Sequence, residues 1–317
     1  MRTNLPTFED IIEQFRRQHY IADRQIAVAV FLSMRLQKPL LIEGPPGVGK
    51  TEIAKVLAQV LNTELIRLQC YEGLDANAAL YEWNYQHQLL HIKLTEQSDQ
   101  TIEEKESTIF SEKFLLKRPL LRAITQPKPP VLLIDEIDRA DEEFESFLLE
   151  VLSDWQISIP EIGTIRATSI PYVIITSNRF RELSDALRRR CLYLWIDYPS
   201  YEKELAIVRE KVPELDENLA EQICQFVQQV RRRQLQKRPG IAETLDWARA
   251  LVSLHKDHLT PDTLAMAIGV LFKDREDIEV MKTSFMEFLE RLHVRFRLAE
   301  VRQEQPSAPS DEFSEKV

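Results

Sequence analysis

Two periods of apolar residues alternate along the first two thirds of the chain, and they separate helices from strands. Apolar positions three and four apart predict helices over residues 8–18 and 22–36. "LLIE" at 40–43 is short and uninterrupted, so it predicts a buried strand. A loop of glycines and prolines follows. Beyond it Ile53, Val56, Leu57, Val60 and Leu61 recur at helical spacing and predict a helix over 51–62. Four more apolar runs read as strands: 65–70, 131–135, 172–178 and 191–196. Strands that are apolar throughout are covered on both faces, so the pattern predicts an α/β fold with a parallel sheet.

Past "DYPS" (197–200) the strand pattern stops. Helical periods cover 203–211, 216–236, 242–256, 261–272 and 275–300, with "KRPG" as punctuation at 237–240. The chain therefore divides into an α/β domain over 1–199 and an all-helical domain over 200–302, with a hinge near Pro199. The proline-rich polar stretch 303–317 reads as a disordered tail. Two insertions interrupt the α/β part. Near 73–95, Tyr81, Trp83 and Tyr85 alternate with polar residues and predict a small β element. Near 155–168, "WQISIPEIGTIRA" predicts a hairpin with "PEIG" at its turn.

Composition narrows the function classes. A 317-residue chain that is 44% hydrophobic is long enough to bury two cores. No apolar run approaches the ~20 residues that span a bilayer, so membrane insertion is not expected. The acidic, helical N-terminus does not resemble a signal peptide. Cys70, Cys191 and Cys224 are the only cysteines and show no paired spacing, which points to a reducing, cytoplasmic setting. The net charge of −10 disfavours a dedicated nucleic-acid partner.

The chemistry concentrates in four places. Gly44, Pro45, Pro46, Gly47, Val48, Gly49, Lys50 and Thr51 fit the phosphate-loop pattern G-x-x-x-x-G-K-[ST], with Glu52 next. In such a loop backbone N–H groups surround a phosphate, the lysine reaches the β- and γ-phosphates, and the hydroxyl ligates Mg²⁺. "VLLIDEID" supplies a metal-binding acid at Asp135 and, at Glu136, an acid placed to polarise water. Asp138, Asp141, Glu142 and Glu143 read as an acidic helix start. Asn178 ends the fourth strand in "TSN", where ligands bind in open α/β sheets; alone it would read as a turn former. In "DALRRRCLYLW", Arg188, Arg189 and Arg190 precede the fifth strand. They read either as a solvated face or as a charge presented to a neighbouring subunit's nucleotide.

This order of motifs resembles the AAA+ ATPases. More narrowly, "LQCYEGLDANAALYEWNYQHQLL", "FLLKRPLLRAI", "IPEIGTIRA", "TSNRFRELSDALRRRCLYLWIDYPS" and "PGIAETLDWARAL" resemble the MoxR group and its CoxD-like branch. The resemblance covers most of residues 20–255. It implies a five-stranded parallel core, a helical lid over the second domain, and hexameric rings with ATP between subunits. It makes Lys50 and Thr51 the Walker A residues, Asp135 and Glu136 the Walker B pair, and Asn178 sensor 1. It adds Ile21 and Ala22 to the nucleotide contacts. Arg190 becomes the first choice for an arginine finger, before Arg189 and Arg188. A sensor 2 arginine, common in MoxR proteins, is missing from "PGIAETLDWARAL"; Arg238 or Arg249 are the substitutes at hand. The two insertions resemble hairpins that face the ring pore.

The resemblance implies a chaperone-like ATPase that uses ATP and Mg²⁺ to remodel or mature a protein client. Insertion of a metal cofactor is one such task, commonly with a partner carrying a von Willebrand A (VWA) domain. Two rivals stand beside it: a DNA-directed motor or loader, and a nucleotide-dependent switch or scaffold with little turnover. His87/His91 and His255/His258 have metal-like spacing but no acid or cysteine cluster beside them, and read as ordinary histidines. "RRRQLQKR" (231–238) reads as the solvated face of one long helix.

Overall fold

The computed structural model describes residues 6–95, 101 and 107–282. The predicted tail, and the stretch 283–300 of the last predicted helix, lie outside the described residues. The chain divides into two compact units, Met1–Pro199 and Ser200–Val317.

In the first unit, α1 (Phe8–Arg17) starts where the Thr7 hydroxyl accepts from the Asp10 N–H and Asp10 answers to the Thr7 N–H. That reciprocal pair satisfies two of the helix's free donors. Asp23 caps α2 (Arg24–Leu36) by accepting from the Ile26 N–H. Strand β1 (Leu40–Glu43) leads through the glycine loop into α3 (Lys50–Val60), and β2 (Leu65–Gln69) follows. The remaining sheet strands are β5 (Val131–Asp135), β8 (Tyr172–Ser177) and β9 (Leu192–Trp195). All five pair in parallel in the order β2-β5-β8-β1-β9.

Alternate strand residues serve opposite cores, as the period of two requires. Leu40, Ile42, Leu133 and Ile174 pack with Phe15, Val30 and Leu57 of α1, α2 and α3. Leu41, Leu132, Ile134 and Ile175 pack on the other face with α6 (Pro119–Ile124), α7 (Glu142–Asp154) and α8 (Asp185–Arg190). Cover on both sides explains why the central strands β1, β5 and β8 read as apolar runs, while the edge strands β2 and β9 keep exposed residues.

The first insertion differs from the β element expected. A short helix, α4 (Ala76–Ala79), is followed by a three-residue strand, β3 (Tyr81–Trp83). Its partner is β4 (Leu115–Lys117), which lies beyond the predicted insertion. Tyr85 is not in a strand; it opens α5 (Tyr85–Leu94), because Asn84 accepts from the His87 N–H and caps a helix there. Trp83 is buried and Tyr81 half-buried, whereas Tyr85 is exposed. The second insertion is an antiparallel hairpin of β6 (Gln156–Ile159) and β7 (Gly163–Arg166).

The second unit holds α9 (Tyr201–Lys211), α10 (Glu217–Arg231), α11 (Ile241–Ser253) and α12 (Pro261–Leu271), with residues 275–282 also helical. Its core gathers Leu219, Ile223, Phe226, Trp247, Leu264 and Phe272. The 231–238 run does not lie on one helix. Helix α10 ends at Arg231, and Arg231 is buried. Its guanidinium donates to both oxygens of the fully buried Glu204 at 2.7 Å and to the Pro239 carbonyl at 2.8 Å. Thr244 adds a third bond to Glu204 at 2.9 Å. A buried charge without its partner is costly, so Arg231→Ala should destabilise this unit by about 3–5 kcal/mol. Urea unfolding of the full chain checks it; a loss under about 1 kcal/mol would show that water reaches the pair.

Candidate nucleotide-binding site

The site forms where the carboxyl ends of β1, β2, β5 and β8 meet the phosphate loop, the place where open parallel sheets take ligands. Two glycines make the loop possible. A Cβ on Gly44 would sit 2.0 Å from the Ile196 carbonyl oxygen, so no other residue fits there. Gly49, at φ 91°, turns the chain into α3 through a backbone region that side chains disfavour.

Lys50 projects back from the first turn of α3. Its ammonium donates to the carbonyls of Gly44 (2.8 Å) and Pro45 (2.7 Å) and to Asn178 Oδ1 (2.7 Å). Burial pulls its pKa down to about 8, while Asp138, Asp135 and Glu136 oppose that shift. Thr51 Oγ1 donates to Asp135 Oδ1 at 2.9 Å. Asp135 is itself buried at the end of β5, and Thr176 Oγ1 donates to the same oxygen at 2.6 Å.

Glu136 sits in the left-handed region (φ 57°, ψ 51°). Such a conformation in a non-glycine residue costs roughly 1–3 kcal/mol and is retained where neighbours enforce it. Here the Glu136 N–H donates to Thr176 Oγ1 at 2.9 Å. Its carboxylate accepts from Asn178 Nδ2 (3.3 Å) and from Gln69 Nε2 (3.1 Å). Asn178 thus links Lys50 to Glu136, and the Gly44–Thr51 loop, Asp135, Glu136 and Asn178 all converge.

Asp138 is not part of a solvated acidic start. It is buried, and its Oδ2 accepts from the N–H groups of Asn178 (3.1 Å) and Phe180 (2.7 Å). It holds the turn that carries Asn178. Asp141 does cap α7, through the Phe144 N–H. Cys70, one residue past β2, is buried and its thiol is pushed up to about 12, first by burial and then by Asp135, Asp138 and Glu136. It is a neutral wall and not a nucleophile.

Helix α8 carries the three arginines and they diverge. Arg188 turns inward: Nη2 donates to Glu43 Oε1 at 3.0 Å. Glu43 ends β1 fully buried, and it also accepts from the Tyr193 hydroxyl at 3.0 Å and pairs with Arg179 at 3.7 Å. Arg190 is exposed and rests on Ser153 Oγ (2.6 Å) and the Ala186 carbonyl (3.1 Å). Arg189 is exposed and makes no hydrogen bond or ion pair among the described residues. Ile21 and Ala22 are half-buried just before α2. Tyr20 and Ala22 pack against the apolar cluster that includes Val48 of the loop and Ile53 and Ala54 of α3.

Several residues here escaped the sequence reading. Glu43, Arg67, Gln69 and Thr176 lie inside strand runs, where a polar residue looks like an ordinary strand end. The one available signal is a charged residue closing a run as apolar as "LLIE".

The fold and the loop define a phosphate-loop nucleotide-binding module. Residues 40–195, from the first residue of β1 to the last of β9, match the ATPase family associated with various cellular activities (AAA). The chain therefore carries an AAA ATPase domain. It is similar to an uncharacterized protein of Staphylococcus haemolyticus strain JCSC1435, 26% identical over 271 residues, 83% of this chain and 94% of that protein. It is also similar to an uncharacterized protein of Staphylococcus epidermidis, 28% identical over 227 residues, 69% of this chain and 78% of that one. Among solved structures it is similar to the Thermotoga maritima RuvB Holliday junction branch migration motor. That likeness has 19% identity and a TM-score of 0.44, and it covers 86% of this chain and 74% of that one. No described helix is long and apolar enough to cross a membrane.

Proposed function

We propose that the chain is a Mg²⁺-dependent ATP hydrolase of the MoxR type that works as a hexameric ring on a protein client in the cytoplasm.

 The observation that carries the hydrolase reading is the chain Lys50–Asn178–Glu136, which joins the phosphate loop to a carboxylate next to the metal acid. Lys50 would leave Asn178 to neutralise the β- and γ-phosphates. Asn178, released from Lys50, would orient a water beside Glu136, and Glu136 would take that water's proton. Thr51 and Asp135 offer only hard oxygen donors, and their hydroxyl–carboxylate bond leaves the Thr51 lone pairs to a cation, which fits Mg²⁺. A magnesium ion held there would supply positive charge to the transferring phosphoryl group. Gly44 to Glu52, with Ile21 and Ala22, would enclose the nucleotide. Helix α8 would offer Arg190, or Arg189, to the neighbouring subunit, since Arg188 is held by Glu43.

Work on protein is supported by two features. The chain is acidic, with a net charge of −10. Helix α5 also exposes Tyr85, Leu89, Leu90, Ile92 and Leu94, an apolar display that suits a polypeptide better than phosphates. A VWA-domain protein is the partner that the MoxR resemblance supplies. Titration of single- and double-stranded DNA and RNA at about 50 mM salt, where electrostatic binding is strongest, tests the reading. Nucleic acid should leave anisotropy and ATPase rate unchanged, whereas a VWA-domain protein should raise the rate. Tight, salt-sensitive binding that stimulates hydrolysis would select a DNA-directed motor, and a stable ATP complex without turnover would select a switch.

A further inference from the structure

Asp135 has more partners than a metal acid needs. Its Oδ1 accepts from Thr51 and Thr176. Its other oxygen, Oδ2, accepts from Arg67 through both Nη2 (2.6 Å) and Nε (3.1 Å). Arg67 stands on β2, opposite Leu133 of β5, and its side chain is 52% exposed while Asp135 is 4% exposed. The guanidinium therefore reaches in from solvent and covers the one oxygen of Asp135 that the two hydroxyls leave open. Arg67 Nη2 also donates to Gln69 Oε1, and Gln69 Nε2 donates to Glu136. One cationic side chain thus touches the metal acid directly and the water-polarising acid through a single glutamine.

We propose that Arg67 is a positioning residue that holds Asp135 against a bare divalent cation, so that the metal enters only together with the phosphates of a nucleotide. The inference rests on the reading of Asp135 as the metal acid. A guanidinium and a divalent ion on the same carboxylate oxygen repel each other; the buried Asp135 limits screening from one side, and the half-exposed Arg67 is screened from the other. Phosphate oxygens add negative charge to the same site. They offset that repulsion and let the ion displace Arg67 towards solvent, where its side chain is already half exposed. The Arg67–Gln69–Glu136 connection then makes metal entry and release of the Glu136 carboxylate one event.

The test uses Mn²⁺ as the probe, followed by electron paramagnetic resonance on the full chain, with and without ADP. Without nucleotide the wild-type protein should bind Mn²⁺ more weakly than about 1 mM. Arg67→Gln removes the charge and should tighten that binding by about tenfold or more. Arg67→Lys keeps the charge and should bind as weakly as wild type. A purely structural role for Arg67 would lower the melting temperature without tightening Mn²⁺. Unchanged or weaker Mn²⁺ binding by Arg67→Gln, or equal tightening by Arg67→Lys, overturns the inference. So does submillimolar Mn²⁺ binding by the nucleotide-free wild type, a measurement that does not depend on how the variants fold. Asp135→Asn separates the two levels of failure. If it leaves Mn²⁺ binding in the presence of ADP unchanged, the metal assignment itself is wrong; if it abolishes that binding while Arg67→Gln changes nothing, only the role of Arg67 falls.

Discussion

Arg190→Ala should retain nucleotide affinity and lose about 10³–10⁵ in turnover, the range that an arginine finger contributes to phosphoryl transfer. The geometry favours a residue acting outside its own subunit. Arg190 ends α8 on the surface, tied among the described residues only to Ser153 and to a carbonyl of its own helix. Those bonds are weak anchors at an exposed position, and a neighbouring subunit's γ-phosphate would outcompete them by charge. Arg188 cannot leave without exposing the buried Glu43 carboxylate to Arg179 and Tyr193 alone. Arg189→Ala is the matched control, because Arg189 is exposed on the same helix. Rings mixed from Arg190→Ala and Lys50→Ala subunits should recover part of the activity, since one type supplies an intact site and the other an intact finger. Absence of recovery in rings shown by mass to be mixed would rule out action in trans. A large loss in Arg189→Ala with none in Arg190→Ala would move the finger by one residue.

Glu136→Gln should bind ATP as wild type does and hydrolyse it about 10²–10⁴ times more slowly, the usual contribution of a general base. The amide keeps the size of the side chain and its oxygen can still accept from Asn178 or Gln69, while the bond from the residue's own N–H to Thr176 continues to hold the strained backbone. Lys50→Ala should fail differently. It removes the fixed charge facing the phosphates, and nucleotide affinity falls with it. Isothermal titration for affinity and phosphate release for turnover separate the two variants. Wild-type hydrolysis by Glu136→Gln would remove it from the mechanism.

Most of the sheet was legible because the central strands β1, β5 and β8 are runs covered on both faces, and the flanking helices carry their own three-and-four spacing. The loop from Gly44 to Thr51 was legible for a similar reason: its chemistry is contiguous. The first insertion was misread because alternation over Tyr81, Trp83 and Tyr85 is a strand signal only while a partner strand continues. Here β4 pairs with three residues, and the Asn84 cap then starts α5. The run at 231–238 was misread because helical spacing does not reveal that Arg231 faces a buried carboxylate 27 positions earlier.

The chain alone determined the class of module, through strand, glycine loop, lysine, threonine and a later acidic pair in a fixed order. Tertiary structure decided how those residues are held. Asp138 holds the Asn178 turn across 40 positions, Arg67 reaches Asp135 across 68, and Arg188 reaches Glu43 across 145. Parallel strands bring such distant positions to one edge because each crossover returns the chain to the same end of the sheet, and no local pattern records which polar ends will meet there.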